Sequence, residues 1–124
     1  SMAHKILIVD DEPNIVISLE FLMKKEGFEI AVANDGEEAL AKVASFKPNL
    51  MLLDVMMPKK SGFEVCEALR ADAANADLQI VMLTAKGRDT EVAKGLAIGA
   101  DAYVTKPFST KELVAKVKSM LGVA

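Results

Sequence analysis

Polar side chains follow four short apolar runs of the sequence, at 5–9, 50–53, 80–83 and 102–105. In chain order, the polar residues after these runs are Asp10, Asp11, Glu12, Asp54, Thr84 and Lys106. The set combines carboxylates with a hydroxyl and an ammonium group. If the runs are parallel strands of one sheet, these side chains converge on a single edge and can form a binding site.

The carboxylates predict a site for a divalent cation. Carboxylates held in one small site repel each other, and such a group persists when a cation offsets the charge. Oxygen ligands without cysteine or histidine favour a hard ion such as Mg²⁺, or Mn²⁺ in its place. The carboxylates at these strand ends are those of the pair Asp10 and Asp11, with Glu12 beside them, and of Asp54.

A bound Mg²⁺ keeps coordination positions open for water and phosphate oxygens. Asp54 could then act as a nucleophile on a phosphoryl group held at the ion. Attack of its carboxylate on phosphorus would give an aspartyl phosphate. Lys106 would pair with the added anion, and Thr84 would donate its hydroxyl to it. Positioning and charge neutralisation are most of what phosphoryl transfer requires, so the set predicts a phosphoryl-accepting site.

Taken singly, each residue also has an ordinary structural interpretation. Asp10–Glu12 could be acids that face the dipole at the start of a helix, and Asp54 could be a turn residue. Thr84 could simply end a strand, and Lys106 could be a solvated lysine. The chemical interpretation rests on the joint pattern, in which the polar groups fall in order at successive strand ends.

The segments between the runs predict helices, so strands and helices alternate five times along the chain. The predicted strands are 5–9, 28–33, 50–53, 80–83 and 102–105. A Ser or Asp followed three residues later by Glu marks helix starts at Asp35, Ser61 and Ser109. A weaker fourth helix is predicted over 89–98, with Val92 and Leu96 facing inward. Such alternation predicts an α/β fold, a parallel sheet with helices on both faces.

Composition bounds the class of protein. The chain has 124 residues, 52% hydrophobic and 27% charged, which suits a single globular domain over 1–124. A net charge of −3 argues against non-specific nucleic-acid binding by this segment. The apolar runs are too short for a membrane span, and no secretory signal is evident. The single cysteine, Cys66, excludes an internal disulfide, so a cytoplasmic location is expected, and Ser1 is expected to be a cloning remnant.

Four segments of the sequence together resemble the response-regulator receiver family of two-component signalling, over essentially the whole chain. They are KILIVDDE at 5–12, LLDVMMPKKSG at 52–62, VMLTA at 81–85 and GADAYVTKPF at 99–108. The resemblance implies a flavodoxin-like (βα)5 fold with five parallel strands in the order 2-1-3-4-5. The spacing of the runs suits that order but does not by itself fix it.

The resemblance implies a role for each acidic residue. Asp54 would be the phosphoacceptor. Asp11 would bind Mg²⁺ directly, and Asp10 would help directly or through water. The backbone carbonyl of Met56 would complete the protein's share of the metal ligands.

The same resemblance implies a phosphate-binding pair and a switch. Thr84 and Lys106 would bind phosphate oxygens, and the bond between Lys106 and Pro107 would be cis. Phosphorylation would draw the Thr84 hydroxyl inward, and Tyr103 would follow into the vacated space. The surface of the fourth helix, fifth strand and fifth helix would then change, because a local charge change biases a two-state element.

Partners also follow from the family. The phosphoryl group would come from a sensor histidine kinase or a phosphotransfer protein, and the signal would pass to an output protein or a fused output domain. The chain would be a signalling phosphoacceptor that assists its own phosphorylation and dephosphorylation, not an enzyme. Val92 and Ala102 stand where many DNA-binding members carry an Arg and an Asp, which argues against their charged dimer contact.

Three alternatives stay open at the level of sequence. A magnesium-dependent phosphohydrolase would place its aspartyl nucleophile near the first strand and usually carries a cap insertion. A flavin- or nucleotide-binding module would need a phosphate-cradling loop after the first strand, where Asp10, Asp11 and Glu12 would repel phosphate. A degenerate receiver would act as a docking surface alone, although every expected site residue is present.

Overall fold

The computed structural model describes residues 3–85 and 87–124, so Ser1, the expected cloning remnant, lies outside the described residues. Strands and helices alternate along the chain. The strands are β1 (Lys5–Val9), β2 (Glu29–Ala33), β3 (Leu50–Asp54), β4 (Gln79–Ala85) and β5 (Ala102–Lys106). The helices are α1 (Pro13–Lys25), α2 (Gly36–Phe46), α3 (Gly62–Arg70), α4 (Asp89–Ala97) and α5 (Thr110–Leu121), with a 3₁₀ turn at Ala73–Asn75.

The strands form one parallel sheet in the order β2-β1-β3-β4-β5, which confirms the expected fold class. Alternate residues of a strand point to opposite faces of the sheet. Leu7 and Val9 of β1 pack with α2 and α3, whereas Ile6 and Ile8 pack with α1 and α5. Both faces of the sheet are therefore covered by apolar side chains, which is why the strands read as continuous hydrophobic runs.

The predicted strands differ from the observed ones mainly at their ends. β3 includes Asp54, β4 continues through Thr84 to Ala85, and β5 includes Lys106. The backbone ladder pairs Thr84 with Thr105 and Ala85 with Lys106. The apolar runs end where the side chains become polar, but the backbone pairing continues past that point. Asp54, Thr84 and Lys106 therefore lie at the ends of their strands, not after them.

All three predicted helix caps form. The side chains that accept a hydrogen bond from the backbone N–H three residues later are those of Asp35, Ser61 and Ser109. The reciprocal capping box is complete for Ser61 with Glu64. At α2 the Glu38 carboxylate instead accepts from the N–H of Asn34, one residue before the cap. Sequence spacing thus located the starts of these helices correctly.

The inward face predicted for α4 is wrong at Leu96, which is 43% exposed. Of the nine described residues of α4, Gly95 alone is buried. A Cβ at Gly95 would lie 3.3 Å from the Met82 side chain, so α4 approaches β4 most closely at its glycine. Successive residues of a helix point in different directions, so this approach turns Leu96 toward solvent.

Candidate functional site

The carboxyl-terminal edge of the sheet gathers the polar residues that the sequence singled out. β1 and β3 are neighbours at the centre of the sheet, and Asp10 and Asp54 lie at their adjacent ends. Asp10, Asp54 and Thr84 are buried, while Asp11 is exposed. The strand order reverses between β1 and β3, and a crevice opens at such a point because the following connections leave in opposite directions.

Asp10, Asp11 and Asp54 form a carboxylate cluster that fits a divalent cation. Each offers one carboxylate oxygen, and these oxygens lie within 4.8 Å of one another. An all-oxygen donor set is the set that Mg²⁺ or Mn²⁺ prefers. Cys66, a softer donor, is buried in the core and takes no part in the cluster. The chemistry of the donors therefore suits the expected ion.

The Asp54 carboxylate lies in an unfavourable environment for its charge. Burial, and then the charge of Asp10, raise its pKa to about 6, although Lys106 and the N–H of Met56 act in the opposite direction. The Met56 N–H donates to the Asp54 carboxylate over 3.4 Å, which is a long hydrogen bond. The protein groups thus leave part of the negative charge of the cluster unbalanced, and a bound cation would offset it.

Lys106, the last residue of β5, reaches into this cluster. Its Nζ lies 2.8 Å from a carboxylate oxygen of Asp10, 3.4 Å from Asp54 and 3.8 Å from Glu12. Burial would lower the pKa of Lys106, but the contacts with Asp10 and Asp54 outweigh burial and raise the pKa. The ammonium group therefore stays charged and can pair with an incoming anion. The peptide bond from Lys106 to Pro107 is cis.

Thr84 and Tyr103 lie on adjacent strands, one buried and one exposed. The Thr84 hydroxyl donates to the Ala85 carbonyl over 3.4 Å, a weak bond that leaves the hydroxyl able to change partner. Tyr103 is 42% exposed, and the Nζ of Lys116 lies 6.0 Å from the centre of its ring. In this structure the Tyr103 ring is thus directed to the outer surface.

A cavity of about 330 Å³ opens over Asp54 and contacts Thr84 and Lys106. Its lining also includes Arg88 and Glu91, which form an ion pair at 2.9 Å. The pattern of polar residues at strand ends does not predict this pair, because neither residue directly follows a strand. Their spacing of three residues at the start of a predicted helix was the available signal.

Gly62, the first residue of α3, is a further residue that the site requires. Its N–H donates to the Val55 carbonyl over 2.8 Å. A Cβ at Gly62 would overlap the backbone carbonyl of Asp54. A glycine is therefore what allows α3 to begin this close to the strand that carries Asp54. Gly62 ends the segment LLDVMMPKKSG at 52–62, but no role for it is predicted from the sequence, because the close approach involves a backbone atom.

Comparisons with known proteins agree on one family. The family model "Response regulator receiver domain" matches residues 6–118. The DNA-binding response regulator MtrA of Mycolicibacterium smegmatis is 47% identical over 121 residues, which cover 98% of this chain and 52% of that protein. The chain therefore spans about half the length of this curated relative.

Solved structures give the same result. The chemotaxis response regulator CheY4 of Vibrio cholerae is 31% identical, with a TM-score of 0.90 over 96% of this chain and 99% of that one. A two-component response regulator from Clostridium difficile is 30% identical, with a TM-score of 0.89 over 96% of both chains. These similarities extend over nearly the whole chain.

Proposed function

The chain belongs to the response regulator receiver domain family, and on this premise we propose that Asp54 accepts a phosphoryl group in the presence of Mg²⁺. The observation that carries the proposal is the position of the Lys106 ammonium group between the carboxylates of Asp10 and Asp54. A cation-binding acid cluster and an anion-binding lysine thereby share one edge of the sheet. Phosphoryl transfer to a carboxylate needs both kinds of group.

The residues have distinct parts in the transfer. With a phosphohistidine as the donor, an oxygen of Asp54 attacks phosphorus, and the bond between phosphorus and the imidazole nitrogen breaks. The leaving imidazole keeps the electron pair of that bond and takes a proton from water. Lys106 and Thr84 bind phosphoryl oxygens and hold them in place. Mg²⁺, when bound, offsets the charge of the carboxylates and the phosphoryl oxygens.

The proposed metal ligands are Asp11, Asp54 and the backbone carbonyl of Met56, with Asp10 binding directly or through water. One oxygen from each of the three carboxylates of Asp10, Asp11 and Asp54 already lies within 4.8 Å of the other two. Lys106 occupies one oxygen of Asp10, at 2.8 Å, and the other accepts the N–H of Glu12 at 2.9 Å. This occupancy favours the binding of Asp10 to the ion through water.

The decisive experiment is incubation with Mg²⁺ and acetyl phosphate, followed by mass spectrometry of the intact chain. One added phosphoryl group is expected, and Asp54→Asn should remove it. Chelation of Mg²⁺ should also abolish the labelling. Labelling that survives in Asp54→Asn would show that another residue is the acceptor.

We further propose that phosphorylation acts through Thr84 and Tyr103. The weakly bonded Thr84 hydroxyl turns to a phosphoryl oxygen, and the exposed Tyr103 ring moves into the space that Thr84 leaves. The surface formed by α4, β5 and α5 changes as a result. The local charge at Asp54 is the signal, and the position of Tyr103 is the two-state element that it biases.

The proposed phosphodonor is a sensor histidine kinase or a phosphotransfer protein, and α1 offers it a surface. Ile17 and Phe21 are 64% and 69% exposed, and they lie one helical turn apart. α1 begins at Pro13, directly after the acidic residues of the site. A partner that packs on these apolar side chains would bring its phosphohistidine to the edge that carries Asp54.

The chain, as one receiver domain over 1–124, would signal to an output protein or to a fused output domain. We propose a cytoplasmic location, no direct nucleic-acid contact by this segment and no membrane contact. Among the described residues, no helix combines the length and apolar character that a membrane span requires.

A further inference from the structure

The loop of residues 55–61, between β3 and α3, carries the proposed metal ligand Met56 past Asp54. Hydrogen bonds hold the ends of this loop. The Val55 N–H donates to the Leu83 carbonyl over 3.1 Å, and the Gly62 N–H donates to the Val55 carbonyl over 2.8 Å. Between these ends, the Lys60 N–H donates to the Pro58 carbonyl over 2.9 Å and the Met56 N–H donates to the Asp54 carboxylate over 3.4 Å. The course of the loop also depends on what its far side packs against.

The far side of this loop packs against the first turn of α2. Gly36 begins α2 and is buried. A Cβ at Gly36 would overlap both the Cβ and the backbone carbonyl oxygen of Lys60. Because one of these atoms is a backbone atom, rotation of the Lys60 side chain could not relieve the overlap. Any larger residue at position 36 must displace the 55–61 loop or α2.

A second contact joins the same two segments. The Asp35 side chain caps α2 through the N–H of Glu38 at 2.8 Å, and its other oxygen lies 3.7 Å from the Nζ of Lys59. Lys59 has a left-handed backbone with φ of 70°, which is uncommon for a residue other than glycine. Such a conformation persists when the surroundings hold it. Two contacts with the start of α2 flank it, because Asp35 faces the ammonium group of Lys59 and Gly36 packs against Lys60.

We propose that the Asp35–Gly36 turn is a positioning element for the metal site, because it places the loop that carries Met56. This inference rests on the proposed function, since it concerns the binding of Mg²⁺ at that site. Neither Asp35 nor Gly36 is among the proposed ligands of the ion. Their effect passes through Lys59 and Lys60 to the backbone of the loop.

The test is the affinity of Gly36→Ala for Mg²⁺, measured by isothermal titration calorimetry. We expect about tenfold weaker binding, the size of effect typical when the support of a metal ligand is removed. Labelling by acetyl phosphate should need correspondingly more Mg²⁺, while its rate at saturating Mg²⁺ recovers most of the wild-type value. A weaker affinity for Mg²⁺ with a nearly unchanged maximal labelling rate indicates that a metal ligand is displaced. A damaged acceptor would instead lower the maximal rate of labelling of Asp54.

Gly27→Ala is the matched control. Gly27 has φ of 91°, so alanine is strained there, but among the described residues no atom beyond its two chain neighbours lies within 4 Å of its Cβ position. This variant should lower the melting temperature without changing the affinity for Mg²⁺. Equal weakening of Mg²⁺ binding in both variants would assign the effect to general destabilisation and overturn the proposal.

Wild-type affinity in a folded Gly36→Ala would also overturn it. If Gly36→Ala does not fold, Asp35→Asn decides, because asparagine keeps the helix cap and removes the charge that faces Lys59. We then expect Mg²⁺ binding about two- to threefold weaker, in keeping with a partly exposed ion pair, and an unchanged affinity would refute the proposal. A wild-type chain that neither binds Mg²⁺ nor accepts a phosphoryl group would instead refute the proposed function.

Discussion

The Nζ of Lys106 lies 2.8 Å from a carboxylate oxygen of Asp10, although 96 positions separate the two residues in the chain. Asp10 is fully buried and Lys106 is largely buried, so water does little to screen this pair. It ties the end of β5 to the end of β1 across the sheet. The same lysine is proposed to bind the phosphoryl group. Its charge therefore stabilises the fold through Asp10 and also serves the proposed function.

Replacement of Lys106 should therefore affect stability as well as phosphorylation. In Lys106→Gln the buried carboxylate of Asp10 loses its charged partner, and without Mg²⁺ we expect a loss of about 3 kcal/mol in the free energy of unfolding. Urea denaturation measures this loss, and added Mg²⁺ should restore part of it. The control is Lys24→Gln, which removes an exposed pair with Glu20 and should cost at most about 0.5 kcal/mol. Equal losses in the two variants would contradict the buried pairing.

Asp54→Asn should stabilise the metal-free protein at neutral pH. The pKa of Asp54 is raised from 3.8 to about 6 in the folded chain, so the folded state binds this proton more tightly than the unfolded state. Ionisation above pH 6 therefore costs stability, and the cost disappears as the pH falls from about 6 to about 4. At about 1.4 kcal/mol per pKa unit, reduced for partial access of water, the gain at pH 7.5 is about 1–2 kcal/mol.

Thermal unfolding of both forms between pH 4 and pH 8 measures this dependence. The advantage of Asp54→Asn should shrink as the pH falls. Saturating Mg²⁺ should reverse the order, because a ligand of the folded state stabilises the chain that binds it more tightly. A metal-free Asp54→Asn that is less stable than wild type at pH 7.5 would contradict the assigned direction.

Replacement of the exposed apolar pair of α1 should slow transfer from a protein donor. Ile17→Ser with Phe21→Ser removes the side chains proposed to contact a histidine kinase, while the site itself stays intact. We expect at least about tenfold slower phosphorylation by a kinase that labels wild type, as for loss of two interface anchors. Labelling by acetyl phosphate should be unchanged. Leu96→Ser, which changes an exposed apolar residue of α4, is the control, and an equal effect there would count against the α1 surface.

Tyr103 offers a direct optical test of the switch, because the chain has one tyrosine and no tryptophan. Tyrosine emission therefore reports on this ring alone. In the unphosphorylated chain iodide should quench the emission readily, since the ring is exposed. Phosphorylation, or beryllofluoride with Mg²⁺, should lower the quenching constant. Thr84→Ala should remove this change, and unaltered quenching in phosphorylated wild type would contradict the inward movement.

α4 should be the least stable helix to local unfolding. Gly95 is the one buried residue among its nine described residues, and Arg88 at its N-cap makes no side-chain cap hydrogen bond. α1, by comparison, buries Val16, Leu19 and Met23. Native-state hydrogen exchange should show the amides of α4 exchanging well before those of α1. Equal protection of the two helices would contradict this expectation.

Much of the fold could be predicted from the sequence, because strand burial and helix capping depend on residues that are close together in the chain. Apolar runs mark strands that are buried on both faces, and Ser61 with Glu64 marks the start of α3 through a local hydrogen-bonded box. Leu96 shows where these rules fail. Its apolar character predicted an inward position. In the structure α4 packs against β4 through Gly95, and Leu96, the next residue, points to solvent.

By itself the sequence determined the strands, the residue types at their ends and the family resemblance, because each depends on residues close together in the chain. Tertiary structure alone decided that Lys106 contacts Asp10, that Arg88 and Glu91 line the cavity over Asp54, and that Lys60 packs on Gly36. These contacts join residues on different elements. Their distances depend on how helices and loops pack against the sheet, and no local pattern encodes that packing.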